Sequence, residues 1–321
     1  MQRIGLGLLS AWATTAAVAA PAPIVIATGP VSGFAFPLGG EICRLYEQAS
    51  QNRARCSVAV TEGSADNLAR LRNGEITLAI VQSDIAADAV TASGSSAGSP
   101  PFKELRSLIG FYPDALTVLV VSDGPVKQID DLKDKRIAVG EPGIHNQLFA
   151  DFLEGLGWNK ADLGGIVEMP RSEQISALCG GKVAAIALTA PHPNGFVRAA
   201  MAACKVTILD LAGPGLDSSI AAHPAYGFGR IDLGLYGLQG VAQSFGPRAV
   251  LVTTTKLESD IAVRLATAMF GRIADLKAAH PALAELDQAA LASSAGLGAE
   301  RDPAIVKYLN DNKISTGTPT Q

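Results

Sequence analysis

Charge is scarce in this chain. Asp, Glu, Lys and Arg make up only 17% of its 321 residues, hydrophobic residues make up 48%, and the net charge of −4 comes without any dense run of Lys and Arg. No electrostatic footprint for nucleic acid or for an anionic membrane surface is therefore present. So much apolar material with so little charge also excludes a disordered chain. Beyond the first twenty residues no apolar stretch is long enough to span a bilayer, so no stable membrane insertion of the mature chain is expected. No Gly-rich loop has Walker or dinucleotide spacing, no H-E-x-x-H occurs, and no strand-borne nucleophile elbow is read. The four cysteines contain no C-x-x-C pair and have no histidine beside them, so neither a metal nor another cofactor is assigned.

What is present begins with MQRIGLGLLSAWATTAAVAA, one cation at Arg3, an apolar stretch, and small residues at Ala17 and Ala19 before Pro21. This fits a secretory signal over 1–20, which places the mature chain in the periplasm. An even cysteine count suits that compartment and implies disulfides. Of the three possible pairings, the local one, Cys43 with Cys56 and Cys179 with Cys204, puts one bridge in each half.

The stretch 57–84, SVAVTEGSADNLARLRNGEITLAIVQSD, organises the rest. A β-branched strand ends at Thr61, Gly63-Ser64 breaks it, Leu68 and Leu71 keep helical spacing, Asn73-Gly74 stops the helix, and Leu78–Val81 is a short buried strand. That is a parallel βαβ unit, whose ligands lie beyond the carboxyl ends of its strands. Ser64 is expected to cap the helix, and the loops at 62–65 and 82–84 become candidate site walls. Ile24–Ala27 with the Gly-rich loop 28–33 supplies another wall, followed by a helix from Leu38. Residues 91–101, TASGSSAGSPP, are a surface excursion. Strand, loop and helix alternate again from Arg136 through 141–147, and His192 lies between two prolines at the end of a further strand, Val183–Leu188. Leu116–Val121 and Ala249–Thr255 are matching apolar runs, expected to pair antiparallel as the crossing between two lobes. Glu258–Ala278 reads as one long amphipathic helix.

Several segments together resemble one family. TGPVSGFAFPLGG at 28–40, TEGSADNLARLRNGE at 61–75, IVQSD at 80–84, GEPG at 140–143, APHPNG at 190–195, AVLVTTT at 249–255 and HPALAELD at 280–287 are similar to the TAXI solute receptors of TRAP transporters. The resemblance covers nearly the whole mature chain, the four cysteines included. It implies an α/β, two-lobed periplasmic binding protein-like fold of type II, each lobe a mixed, mostly parallel sheet flanked by helices and joined by hinge strands. Lobe one would comprise 21–118 and 253–321, and lobe two 119–252. It further implies a receptor, not an enzyme, that captures a small carboxylate or amino-acid-like solute between the lobes and delivers it to the membrane subunits of the transporter. The expected ligand contacts are Gly29, Ser32, Gly33, Phe34, Gly63, Ser64, Ser83 and Asp84 from lobe one, and His145, Asn146, Thr189 and His192 from lobe two.

The chain departs from the family pattern at Phe34, Ala35 and Phe36, where hydroxyl residues and tyrosines are usual, and at Gly143-Ile144-His145, where Gly-Ser-Gly is usual. Glu62 and Glu141 near an anion site would repel a dicarboxylate, which leaves room for a less acidic solute or one with an amine. A secreted enzyme using the same cleft and a ligand sensor acting on a membrane signalling protein stay open beside the receptor reading.

Overall fold

The computed structural model describes residues 23–31, 33–51, 53–140, 144–284 and 286–316, with the backbone alone at 144–146. The signal segment 1–20, Ser32, Glu141, Gly143 and the side chains of His145 and Asn146 therefore lie outside the described residues.

The first half contains β1 (Ile24–Ala27), α1 (Ala35–Ala49), β2 (Cys56–Ala59), α2 (Ser64–Asn73), β3 (Leu78–Gln82), α3 (Ser83–Thr91) and β4 (Leu105–Pro113). The middle contains β5 (Ala115–Val121), β6 (Arg136–Val139), α4 (Ile144–Gly155), β7 (Gly165–Glu168), α5 (Arg171–Cys179), β8 (Ala185–Ala190), α6 (Gly195–Ala203), β9 (Val206–Ile208) and α7 (Pro214–Ala222). The last part contains β10 (Tyr226–Asp232), β11 (Val241–Thr254), α8 (Ser259–Gly271), α9 (Ile273–Ala279), α10 (Gln288–Ala292) and α11 (Pro303–Asp311).

These strands form two sheets. In lobe one β1 lies between β2 and β3, all parallel, and β11 runs antiparallel beside β3 with β4 antiparallel beyond it. In lobe two β6 lies between β7 and β8 in parallel, and β5 runs antiparallel beside β8 with β9 beyond it. The two sheets thus repeat one strand order. Leu78–Val81 is buried at every position, as a strand covered on both faces must be. Its alternate side chains feed separate cores: Leu78 and Ile80 meet α1 and α8, while Ala79 and Val81 meet α2 and α3. The lobe-two sheet is likewise sandwiched, with Phe149 and Phe152 of α4 on one face and Leu178 and Val197 of α5 and α6 on the other.

The crossing between lobes differs from the expected one. β5 does not pair with β11, because β4 passes through Asp114 straight into β5, which enters the second sheet between β8 and β9. β11 is the other crossing, a continuous strand of 14 residues whose last half pairs β3 and β4 and whose first half pairs β10. The runs at 116–121 and 249–255 look alike because each is the antiparallel neighbour of the last parallel strand of its own lobe. Two helix boundaries also shift. α1 begins at Ala35, three residues early, with Pro37 in its first turn, and the stretch 258–278 breaks at Arg272 into α8 and α9.

Both local disulfides are formed, Cys43–Cys56 joining α1 to β2 and Cys179–Cys204 joining the ends of α5 and α6. The first closes a loop with a sequence separation of 13, for which chain-entropy arguments give about 3 kcal/mol of stabilisation. Replacing both cysteines of that pair with serine is expected to lower the urea midpoint correspondingly, and an unchanged midpoint would show that the bridge contributes no stability.

Candidate functional site

In lobe one the strand ends are held by a single side chain. Asn67, fully buried in α2, donates from Nδ2 to the carbonyl of Thr28 just past β1 (2.9 Å) and to that of Ile80 in β3 (2.8 Å). Its Oδ1 accepts from the Thr61 hydroxyl (2.6 Å), and Thr61 Oγ1 in turn accepts from the Gly63 amide (3.3 Å). The Thr61 amide reaches back to the carbonyl of Gly29 (3.3 Å), so the loops containing Gly29 and Gly63 are brought together. Gly63, at φ 114°, is the helix N-cap, a conformation other residues rarely adopt. Ser64 is therefore not the cap that its position suggested. Its hydroxyl instead accepts from the Gln82 amide (3.0 Å), fastening α2 to the end of β3. The first-turn amides of α2 have no side-chain cap, and Val31 and Val60, in the loops that follow β1 and β2, are exposed at 64% and 52%. Phe34 rests on Tyr112 and His280, with ring centroids 4.6 and 4.0 Å away, and the half-buried Gly33 precedes it.

Lobe two repeats the device. Gln174 of α5, buried at 1% exposure, donates from Nε2 to the carbonyls of Val139 (3.0 Å) and Met169 (3.2 Å) at the ends of β6 and β7. Its Oε1 and the buried Thr189 hydroxyl are two of the four buried side-chain atoms without a partner among the described residues. His192 is tied on both sides. The Asn194 amide donates to Tyr236 Oη (2.7 Å), Tyr236 Oη meets His192 Nδ1 (2.6 Å), Nε2 meets Thr117 Oγ1 (2.8 Å), and Thr117 donates to the carbonyl of Ala115 (3.1 Å). One assignment satisfies every member: Tyr236 donates to Nδ1 and Nε2–H donates to Thr117. Burial pushes the His192 pKa down to about 4, so the ring is a neutral strut in lobe two.

Ser83 sits where the lobes meet. It is fully buried, its hydroxyl accepts from the Arg248 amide (2.8 Å), and it donates to the carbonyl of Ala225 (2.6 Å). Beside it Gln82 Nε2 donates to Asp114 Oδ2 (2.6 Å), and the Asp114 amide donates to the Pro247 carbonyl (2.7 Å), joining the two crossings. Burial raises the Asp114 pKa to about 6 against the opposing bond from Gln82.

Next to this junction lies a cavity of about 890 Å³ with walls from both lobes: Asp84 and Asp88 of α3, Gln147 and Asp151 of α4, and His223 and Tyr226 around the end of α7. That volume is within the range of small-molecule sites. Asp151 is closed off by Gln147 Nε2 (2.6 Å) and Tyr226 Oη (2.5 Å). Asp84, desolvated and near the carboxylates of Asp88 and Asp151, has its pKa raised to about 6.

Of the expected site residues, the structure joins Gly29 to Gly63 and Ser64 to the end of β3, and brings Asp84 to a cavity shared with α4, the helix that His145 and Asn146 open. Thr189 and His192 stand together at the end of β8. Asn67, Gln174, Asp114 and Asp151 were not singled out from the sequence. Asn67 and Gln174 leave a trace there, each an amide four residues before a buried leucine, Leu71 or Leu178, on the inner face of its helix. The spelling Gly94-Ser95-Ser96-Ala97-Gly98 is a G-x-S-x-G sequence, yet it follows α3 as a short 3-10 turn with no strand before it, so it is not a nucleophile elbow.

A family model described as the NMT1-like family matches residues 26–311. Among solved structures, a TctC solute binding protein from Polaromonas superposes with a TM-score of 0.54 at 16% identity, over 92% of this chain and 89% of that one. The periplasmic aliphatic sulphonate binding protein from Escherichia coli gives 0.46 at 15% identity, over 90% and 78%. A probable amino-acid transporter extracellular-binding protein from Bacillus subtilis gives 0.49 at 14%, over 80% and 95%. The first of these shares the two-lobed α/β fold.

Two outcomes follow from the geometry. Asn67→Ala removes both carbonyl contacts and strands the Thr61 hydroxyl, a loss of about 3 kcal/mol at ~1–3 kcal/mol for a buried group left unpaired, and a urea midpoint within error of the parent would refute the role given to Asn67. His192, with its folded pKa below the ordinary value of 6.5, contributes stability that is full above about pH 6.5 and is lost as pH falls toward about 4. Its ring proton resonances should stay flat from pH 8 to 5.5, and a midpoint near 6.5 would contradict the tied, neutral ring.

Proposed function

The chain belongs to the NMT1-like family, and from that premise we propose that it is an exported solute receptor of the TAXI type, which captures a small organic solute between its lobes and passes it to the membrane subunits of a TRAP transporter. The observation that carries this reading is the repeated lobe. Two sheets of the same strand order each have their strand-end loops fixed by a buried amide, Asn67 or Gln174, while among the described residues two crossings join them, at Asp114 and at Ser244–Arg248 in β11. Rigid jaws on a narrow joint suit a mechanism in which a solute touching both lobes stabilises the closed arrangement. The shared fold with a TctC solute binding protein supports the same reading.

The uncapped first-turn amides of α2 at Ser64 and Ala65 offer donors to a carboxylate. Glu62 does not oppose this directly, since it is exposed and its amide is bonded to Asp66 (3.2 Å). Contacts from Gly29, Gly33, Phe34 and Ser64 in lobe one, and from α4 and Thr189 in lobe two, belong to this proposal, with an acid or amino-acid-like solute as the class.

Native mass spectrometry of freshly purified protein tests it, followed by small-angle scattering and thermal melts with whatever mass is found. A bound metabolite, a smaller radius of gyration and a higher melting temperature are expected. No bound mass, together with no compaction across a panel of amino acids and carboxylates, would overturn the receptor reading.

A further inference from the structure

Tyr112 stands at the end of β4 beside the crossing, and the direction of β4 decides what it faces. β4 is antiparallel to β11, which is antiparallel to β3, so β4 runs with β1 and β3. Its carboxyl end therefore lies on the sheet edge from which the loops after β1 and β2 depart, the edge at which open α/β sheets bind ligands. The Tyr112 ring packs against Phe34, the N-cap residue of α1, with centroids 4.6 Å apart and planes at 64°. The residue is 8% exposed, yet its hydroxyl forms no hydrogen bond with any described residue. Tyr226 and Tyr236 have theirs bonded, the first to Asp151 and the second to His192 and the Asn194 amide. Tyr46 also lacks a partner, but it lies in the last turn of α1, at the far end of that helix from Phe34.

A phenol withdrawn from water keeps its proton, and burial together with the Asp114 charge holds the Tyr112 pKa well above its ordinary value. The group on offer is thus a neutral O–H donor, whose complement is an oxygen acceptor. No side chain caps α1, so its first-turn amides are further donors beside Phe34. A second carboxylate of the solute is a poor acceptor here. The Asp114 charge already acts on Tyr112, and the segments 28–34, 60–63 and 113–115 contain no Lys or Arg to offset another. Phe34, with Val31 and Val60 exposed in the loops after β1 and β2, gives this edge apolar surface instead. In lobe two the Thr189 hydroxyl, likewise 8% exposed and without a partner among the described residues, is neutral too.

We propose that Tyr112 determines specificity in the receptor, its Oη donating to a carbonyl or hydroxyl oxygen of the solute, and that the solute is a monocarboxylate with such a neutral oxygen and an apolar body. The assignment rests on the receptor reading and narrows it. The one carboxylate goes to the amides of α2, the neutral oxygen to Tyr112 and the apolar part to Phe34, and dicarboxylates are rejected.

Thermal melts and titration calorimetry of the mature chain at pH 8 decide the matter with matched probes. Levulinate and benzoylpropanoate contain the neutral oxygen, pentanoate and phenylbutanoate lack it, and glutarate has a second carboxylate in its place. At least one oxo acid should raise the melting temperature in a concentration-dependent way and bind about tenfold more tightly than its oxygen-free partner, while glutarate should give no shift. In Tyr112→Phe that preference should disappear, because the hydroxyl is removed and the ring stays on Phe34. The variant alone should melt at or above the parent temperature, since the lost hydroxyl has no partner in the folded protein, and weaker binding then cannot be laid to a failure to fold. The inference falls if neither oxo acid shifts the melt, if the preference survives in Tyr112→Phe, or if the variant melts below the parent. Stabilisation and compaction by glutarate, equal in parent and Tyr112→Phe, would remove this inference and leave the receptor reading standing.

Discussion

One buried amide in each lobe decides where the loops of the site can be. Asn67 and Gln174 are both the fourth residue of the second crossover helix, and both spend their two N–H donors on carbonyls at the ends of parallel strands. A parallel strand that stops leaves backbone groups with no ladder partner, and burying them unpaired is costly. Satisfying two of them from one side chain fixes the spacing of the strand ends and the point at which each following loop departs. The lobes part company at the amide oxygen. The loop before α2 spans 60–63 and contains Thr61, whose hydroxyl serves Asn67 Oδ1, while the loop before α5 spans only 169–170 and leaves Gln174 Oε1 without a partner. At this one link lobe one is accordingly the better satisfied of the two.

The joint between the lobes is packed too tightly to bend everywhere. A Cβ on Gly246 would lie 2.1 Å from the Asp114 carbonyl oxygen, so the two crossings touch backbone to backbone at that point. Arg248 follows in β11. Its buried guanidinium donates to the carbonyls of Phe111, Ala290 and Ala295, at 3.2, 2.9 and 2.8 Å, without a carboxylate partner, and burial lowers its pKa to about 10. It remains charged and ties the segment around α10 to the crossing, as three carbonyl dipoles can do for a cation. The described backbone passes between the lobes at 113–115 and at 244–248, and Ser83, bonded to both Ala225 and Arg248, marks the lobe-one side of that passage.

Much of this architecture is legible in the sequence because it rests on short-range pattern. The βαβ unit at 57–84, the local disulfides and the strand-end loops follow from period, turn residues and spacing. The crossing is not legible that way. Leu116–Val121 and Ala249–Thr255 are equally apolar and β-branched, and sequence likeness cannot tell pairing in one sheet from equivalence in two. The family resemblance likewise leads to the right fold, but it draws attention to loops and so to His192, whose two ring nitrogens turn out to be taken up within its own lobe. The groups that hold the loops lie a turn into the helices, where a polar residue on an apolar face reads as an imperfection of pattern. Asp114 and Asp151, 37 residues apart in the numbering, are related to Asp84 only by the folded crossing, and no local signal reports that.

Charge is distributed so that the two sides of the joint behave differently. On the His192 side every titratable contact is neutral and closed, a chain from the Asn194 amide to the Ala115 carbonyl whose energy does not depend on what approaches. On the α3–α4 side, Asp84 is destabilised in its ionised form first by burial and then by its acidic neighbours, Asp151 of the other lobe among them. Moving the lobes nearer on that side strengthens the repulsion as water leaves, because the same charges act through a lower dielectric. Any approach of the two lobes on this side is therefore opposed by the like charges of Asp84 and Asp151. With only 17% of residues charged and no Lys or Arg among its lining residues, the groove takes its charge from Asp84, Asp88, Asp151 and Glu300, the last of them paired with Arg106.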